Sequence, residues 1–158
     1  MNKQVSEYKK IVALNKRAKF EYFIEDTLEA GVVLKGSEVK SLRQGKGSID
    51  DSHAGISGNE VILYNCHIAE YDKANRFNHD MRRPRKLLLH KSEIKKIIGK
   101  VKLKGYTLVA LSLFFNHKNI IKVELGIAKG KKLYDKRETI KERDWKKEQG
   151  RRLKQQSR

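Results

Sequence analysis

The sequence has little cysteine and no long apolar segment, and both shortages limit what the protein can be. Cys66 is the single cysteine, which excludes an intrachain disulfide and a zinc site built from several cysteines, and it suits a reducing cytosol. The longest apolar run, 109–115, is interrupted by Ser112 and is far too short to span a bilayer. The segment 1–10 has lysines with no apolar stretch behind them, which is not typical of a secretory signal. We expect a cytoplasmic protein with no membrane partner.

Motifs that carry catalysis are also missing. The sequence has no zinc-ligand spacing, no phosphate-binding Walker loop and no glycine fingerprint for dinucleotides, and its five histidines are scattered. Asp50 and Asp51, with Glu25 or Glu29, could hold magnesium for a nuclease, but neighbouring acidic residues in a turn are usually solvated. We predict no enzyme activity, no cofactor and no metal, and keep a magnesium-dependent nuclease as the alternative from another class.

Positive charge is what the sequence has in excess. Lys and Arg number 37 against 19 Asp and Glu, which gives a formal net charge of +18 over 158 residues. Such a field attracts polyanions, so nucleic acid is the leading partner. The length suits one modest domain with appendages.

Alternating apolar residues predict a domain made mainly of β-strands. Residues 20–34 indicate one long strand or two shorter ones, and Gly58-Asn59 separates two short strands of a predicted hairpin. Odd-numbered apolar residues in 107–115 and 121–127 predict a second hairpin with its apolar faces inward. About six strands joined in this way favour a closed antiparallel barrel, because closure removes exposed sheet edges.

Two segments have helix signals. Ser37 is expected to cap a short helix that ends at Gly45. In 92–102 the apolar residues recur at i, i+3, i+4 and i+7, with lysines on the opposite face, which predicts an amphipathic helix.

The positive charge is concentrated in two segments. Residues 72–91 carry seven basic and two acidic residues and are predicted to form an exposed loop that ends in a short strand at 85–90. Residues 129–158 carry 13 basic and five acidic residues, too polar to offset the entropy of ordering, so we predict a domain over 1–128 and a tail that is disordered when free. Trp145 is then either an anchor for a partner or weakly docked on the barrel.

Some residues are suited to RNA. Phe77 and His79 lie among the cations of 76–86, and planar groups beside arginine suit unstacked bases and phosphates, although a solvated loop is the alternative. Glu29 and Glu38 could accept hydrogen bonds from base amino groups or 2′-hydroxyls, but the pattern alone favours pairing with a nearby cation. The RNA-contacting cations predicted in the loop are Arg76, Arg83, Arg85 and Lys86.

Three long blocks run through the chain in order and without gaps: ALNKRAKFEYFIEDTLEAGVVLKGSEVKSLRQGKGSIDDS, NRFNHDMRRPRKLLLHKSEI and GKKLYDKRETIKERDW. From Ile11 to Trp145 they resemble the SsrA-binding protein family, also called small protein B. The resemblance implies an oligonucleotide-binding-like closed antiparallel β-barrel with two or three flanking helices and no enzyme activity.

The resemblance also implies a role in trans-translation, the rescue of ribosomes stalled on truncated messages. The barrel would bind the tRNA-like domain of transfer-messenger RNA (tmRNA) in place of an anticodon arm. Elongation factor Tu and alanyl-tRNA would complete the delivered complex. The tail would enter the 30S decoding centre and the empty mRNA channel and become helical there, so that the nascent chain is tagged for proteolysis and the ribosome is released.

The resemblance further assigns roles to single residues. It places an acidic RNA reader at Glu29, with Leu88 and His90 beside it, and His90 stands where some members have Asn. Tyr134 stands where many relatives have His, and it keeps a planar group that can stack on rRNA. Further RNA contacts are implied at Asn15, Lys16, Arg17, Glu38, Lys40 and Arg43. The implied hinge, decoding-centre motif and tail contacts include Gly130, Lys131, Lys132, Asp135, Lys136, Arg137 and Trp145.

Two expectations separate these hypotheses. A cut after Ala128 should leave RNA binding nearly intact and abolish tagging of stalled products, whereas Glu29→Arg should weaken RNA binding without unfolding the barrel. A ribosomal or initiation-factor-like barrel protein that binds rRNA is the alternative within RNA binding.

Overall fold

The computed structural model describes residues 9–74, 77–103 and 105–157, and these parts of the chain contain nine strands and four helices. The strands are β1 (Lys10–Leu14), β2 (Tyr22–Val32), β3 (Gly47–Ser48), β4 (His53–Ser57), β5 (Glu60–Tyr64), β6 (His67–Ile68), β7 (Arg85–Leu88), β8 (Tyr106–Phe115) and β9 (Ile121–Gly130). The helices are α1 (Ala18–Glu21), α2 (Gly36–Arg43), α3 (Lys91–Val101) and α4 (Leu133–Gln156). None of these helices has the length and apolarity that crossing a bilayer requires.

Six strands close into a barrel. Their order is β8-β4-β5-β7-β2-β9, and β9 pairs back onto β8, with every pairing antiparallel. Strand β1 pairs with the second half of β8, where Leu14 lies opposite Ser112. Strands β3 and β6 form a separate small sheet. The predicted closed antiparallel barrel is therefore confirmed, and so is the hairpin at Gly58, which has a positive φ of 61°.

A bulge in β8 makes one part of the strand prediction wrong. The pairing with β9 shifts register between Ala110 and Ser112. Because a bulge inserts one extra residue, the side-chain alternation reverses there. Leu108 and Ala110 reach the main core before the bulge, and Leu113 and Phe115 reach it afterwards. The odd-numbered apolar residues of β9, by contrast, all lie in this core as predicted.

Two element starts also differ from the predictions. Residues 18–21 form the short helix α1, so the strand predicted from Phe20 begins at Tyr22. The N-cap of α2 is Lys35, and the Ser37 hydroxyl forms a 2.9 Å hydrogen bond with Nδ1 of His79 rather than capping the helix. The amphipathic helix predicted over 92–102 is confirmed as α3.

Most of the tail forms helix α4, and its disorder when free of a partner stays a prediction. Its side chains are mostly exposed, and Trp145, which is 62% exposed, is not docked on the barrel. Few side chains of this segment are buried, but Glu, Lys and Arg favour a helix even when they are exposed. The Asp135 carboxylate also accepts a 3.2 Å hydrogen bond from the Lys132 N–H and so satisfies one donor at the helix start. Strand β9 continues to Gly130, two residues beyond the predicted domain end at Ala128.

Candidate nucleic-acid interface

Three residues that the family resemblance associates with RNA recognition meet at one surface cavity. Glu29 from β2, Leu88 from the end of β7 and His90 before α3 line it together with Glu93 and Lys122, and its volume is about 430 Å³. An acidic group, an apolar group and a basic group therefore share one recess. This recess is called the Glu29 cavity below.

The strand order explains why these residues meet. Strand β2 lies between β7 and β9, so Gly31 has Leu88 opposite it on one side and Lys122 on the other. A Cβ atom at Gly31 would lie 3.2 Å from the Cβ of Leu88, so a larger residue there would crowd the cavity wall. His90 follows two residues later as the N-cap of α3, where its N–H donates to Oε2 of Glu93 at 2.9 Å. Sheet pairing and a helix cap thus hold the cavity in shape.

Glu29 keeps hydrogen-bonding capacity for an external donor. Its Oε2 lies 3.7 Å from Nζ of Lys9, and the two side chains are 37% and 38% exposed. An exposed pair at this separation contributes at most about 1 kcal/mol. The pairing that the sequence favoured is present but weak, so base amino groups or 2′-hydroxyls can compete for the carboxylate. Leu88, which is 52% exposed, adds apolar surface beside it.

Glu38 and Arg85 are buried, and this corrects their prediction as RNA contacts. Both side chains are 0% exposed, and Nε of Arg85 donates to Oε2 of Glu38. Arg83 donates to the other carboxylate oxygen from Nε at 3.0 Å and from Nη2 at 2.6 Å. Arg85 also donates to the carbonyl oxygen of Cys66 at 2.7 Å. These side chains join α2 to the basic segment 72–91, called the basic loop below, which includes the start of β7. The Arg83 side chain is 26% exposed and belongs to the same cluster.

The cluster keeps Glu38 ionised. Burial on its own raises the pKa of Glu38, but the hydrogen bonds and charges of Arg85 and Arg83 outweigh burial and hold this pKa below its usual range. The same burial raises the pKa of the Cys66 thiol to about 11, so Cys66 stays a neutral thiol.

This lowered pKa predicts an acid-sensitive fold. Because the folded-state pKa of Glu38 lies below the unfolded-state value, its stabilisation is present above the unfolded-state pKa and is lost as pH falls through the folded-state pKa. Below about pH 4.3, the ordinary value for glutamate, the free energy of unfolding of the wild type should fall more steeply than that of Glu38→Gln. Urea titrations at several pH values measure both slopes. Identical slopes would contradict the assignment.

The basic loop divides between surface and interior. Phe77 is 91% exposed, as a stacking group requires, whereas His79 is 3% exposed and its Nε2 lies 2.9 Å from the carbonyl oxygen of Ile68. The suggestion that His79 contacts RNA is therefore wrong. Lys86 is exposed, and its Nζ lies 2.7 Å from Oε1 of Glu60.

The remaining predicted barrel contacts are on the surface, with one exception. Asn15 is half-buried, and its amide donates to the carbonyl oxygen of Ala110 at 3.1 Å, which gives it a structural role. Arg76 lies outside the described residues, as does the side chain of Tyr134. The exposed cations are Lys16, Arg17, Lys40 and Arg43.

The tail is attached to the barrel through Lys131. Its N–H donates to the carbonyl oxygen of Glu21 at 2.9 Å, and its ammonium donates to the carbonyl oxygen of Lys19 at 2.9 Å and to Thr139 at 3.1 Å. The ammonium also lies 4.9 Å from the centre of the Phe23 ring. These bonds attach the start of α4 to the barrel, and the implied hinge role of Lys131 stays a prediction. The implied decoding-centre residues Asp135, Lys136 and Arg137 form the first turns of α4.

Acidic residues do not gather into a site. Within 9–74, 77–103 and 105–157, no group of three or more His, Cys, Asp or Glu is placed to hold a metal ion. Asp50 is exposed and accepts a 3.3 Å hydrogen bond from the Ser48 hydroxyl.

Comparisons with known proteins agree on one family. Residues 12–155 match the family model described as "SmpB protein". The chain is 74% identical over 149 residues to the SsrA-binding protein of Rickettsia bellii (strain OSU 85-389), covering 94% of this chain and 99% of that relative. It is 72% identical over 151 residues to the SsrA-binding protein of Rickettsia typhi (strain ATCC VR-144 / Wilmington), covering 96% and 99%.

A solved structure extends the similarity to the fold. It is described as "tmRNA-SmpB: a journey to the center of the bacterial ribosome". Its matching chain is 48% identical to this one with a TM-score of 0.65, over 80% of this chain and 92% of that chain.

Proposed function

The chain belongs to the SmpB protein family, and on this premise we propose that it binds the tRNA-like domain of tmRNA and brings that RNA to stalled ribosomes in the cytoplasm. The family is one of RNA-binding adaptors and not of enzymes. The observation that carries the proposal is the Glu29 cavity, where Glu29, Leu88 and His90 meet on a strongly basic barrel.

The cavity and the surrounding cations divide the work of recognition. Exposed cations on β1, α1 and α2 neutralise phosphates, which gives affinity without sequence preference. In the cavity the Glu29 carboxylate accepts hydrogen bonds from amino groups or 2′-hydroxyls, and Leu88 packs on the face of an unstacked base. The barrel thereby stands where the anticodon arm of a tRNA would be.

Helix α4 performs the second half of the function. It projects a cationic and mostly exposed surface, attached to the barrel at Lys131. We propose that α4 enters the 30S decoding centre and the empty mRNA channel, where rRNA phosphates surround it. Tyr134 and Trp145 would stack there, and a channel filled by an intact message would exclude the helix. Elongation factor Tu and alanyl-tRNA complete the delivered complex in this scheme.

Reversal of one charge in the cavity tests the proposal. Glu29→Arg should weaken binding to the tRNA-like domain at least tenfold, about 1.4 kcal/mol or more. The reason is that a hydrogen-bond acceptor is replaced by a donor, which then faces the amino or hydroxyl donors of the RNA. The thermal unfolding of the variant should change little, since Glu29 has only a weak surface partner. Fluorescence anisotropy at fixed salt measures the affinity.

Glu25→Arg is the matched control. Glu25 lies on the same strand but does not line the cavity, and the charge change is identical. If binding were electrostatic attraction alone, both variants would bind RNA more tightly than the wild type. The proposal is supported if Glu29→Arg weakens RNA binding and Glu25→Arg does not. It is contradicted if the two variants change the affinity equally, or if the wild type binds unrelated duplex RNA with equal affinity.

The RNA that co-purifies with the protein from its native host distinguishes the tmRNA-binding hypothesis from the alternative of a barrel protein that binds rRNA. tmRNA in the purified complex is the expected result. Co-purification with 30S subunits but never with tmRNA would favour the ribosomal or initiation-factor-like barrel protein.

A further inference from the structure

A second and larger recess lies beside the Glu29 cavity. It opens between the β4–β5 turn and α3, and its volume is about 590 Å³, within the range of about 300–1,000 Å³ that is typical of small-ligand pockets. We name it the α3 cleft. Its apolar lining residues are Leu87, Leu88, Leu89, Ile94 and Ile98, and its polar lining residues are Asn59, Glu60, Lys86, Lys91 and Lys95.

The register of α3 produces this combination of walls. Ile94 and Ile98 are four residues apart, as are Lys91 and Lys95, so the helix presents an apolar row beside a cationic row. Ile97 is 0% exposed and fills the main core, while Ile94 and Ile98 remain half-buried. The helix therefore keeps apolar surface at the cleft that the barrel does not cover.

The rim of the α3 cleft carries unbalanced positive charge. Lys86 is paired with Glu60, their charged atoms 2.7 Å apart. Lys91 and Lys95 form no ion pair with any carboxylate in the described part of the chain. The apolar lining of the cleft suits a planar nucleobase, and the unpaired ammonium groups of Lys91 and Lys95 suit a phosphate. A nucleotide carries both groups.

The α3 cleft adjoins the Glu29 cavity. Leu88 and Leu89 line both recesses, so neighbouring nucleotides of one RNA strand can reach both. We propose that the α3 cleft binds an unstacked nucleobase of the same RNA, with its phosphate on Lys91 and Lys95. The inference rests on the proposed function and adds a second base-binding site to it.

Site-specific crosslinking tests the occupant. The native thiol, Cys66, is 1% exposed and its pKa is raised to about 11, so the thiol of Asn59→Cys can be labelled selectively with a benzophenone. Irradiation of the full-length protein with the tRNA-like domain should give crosslinks to one or two adjacent unpaired nucleotides, mapped by reverse transcription. The control is the same label on Lys118→Cys, in the β8–β9 turn, which lines neither recess.

Three outcomes would overturn the inference. These are crosslinks no stronger than those of the Lys118→Cys control, crosslinks scattered over the RNA, and, in ribosome complexes, crosslinks to a ribosomal protein instead of RNA. The last outcome would make the α3 cleft a protein-docking site.

A charge reversal at the rim gives an independent measurement. Lys95→Glu should weaken binding of the tRNA-like domain about tenfold and reduce the salt slope of log affinity by at least about one. Lys118→Glu makes the same change in net charge and should have a much smaller effect. If the wild type binds the RNA specifically and the two variants behave alike, the α3 cleft inference fails alone. If the wild type shows no preference for this RNA, the proposed function fails.

Discussion

Glu38→Ala is expected to lower the free energy of unfolding by about 3–5 kcal/mol, the usual effect of removing one partner from a buried ion pair. The substitution leaves Arg85 charged, 0% exposed and without its carboxylate, and it also frees the guanidinium of Arg83. Urea unfolding followed by circular dichroism measures the loss.

An exposed pair provides the control for this prediction. Glu60→Ala removes the partner of Lys86 in a pair whose side chains are 50% and 46% exposed, so it should lower stability by no more than about 1 kcal/mol. The double variant Glu38→Met, Arg85→Met should lose less than Glu38→Ala alone, because no buried charge is left unpaired. Equal losses for Glu38→Ala and Glu60→Ala would show that the buried cluster does not stabilise the fold.

The elements that were predictable from sequence are those whose pattern is local. Strand β9 alternates without interruption, and α3 has the helical period, so their core faces could be assigned from sequence. Strand β8 could not, because its bulge reverses the alternation at Leu111 and depends on pairing with β9. Arg85 is the clearest failure. In the sequence Arg85 is one of the seven basic residues of 72–91, and nothing local distinguishes it from the others. Its burial depends on the carboxylate of Glu38, which is 47 residues away.

The candidate interface shows the same division. Family resemblance indicated Glu29, Leu88 and His90, but their meeting depends on the pairing of β2 with β7. Arg85, taken from an equally typical segment, is buried in an ion pair, and the Asn15 amide donates to a carbonyl oxygen of the barrel. The two rows of α3 could be read from spacing alone, yet nothing local places them beside the β4–β5 turn. Sequence thus identifies chemistry, and long-range pairing decides which groups act together.

The end of β9 determines where the tail can be removed. Lys129 and Gly130 pair with β2, and the Lys131 N–H donates to Glu21, so the cut after Ala128 suggested by composition would remove bonds of the barrel. A cut after Lys132 avoids this and still removes α4. The segment removed carries ten basic and five acidic residues, a net charge of +5.

Truncation after Lys132 is expected to reduce tagging of stalled nascent chains to background while affinity for the tRNA-like domain stays close to that of the full chain. The Glu29 cavity and the α3 cleft both lie outside the removed segment, and a loss of five net charges weakens only the nonspecific part of binding, least at physiological salt. Anisotropy measures the affinity, and translation of a message without a stop codon measures tagging. The cut after Ala128 should also lower thermal stability, which separates barrel damage from loss of α4. If removal of α4 alone abolished RNA binding, the proposed division between barrel and helix would be wrong.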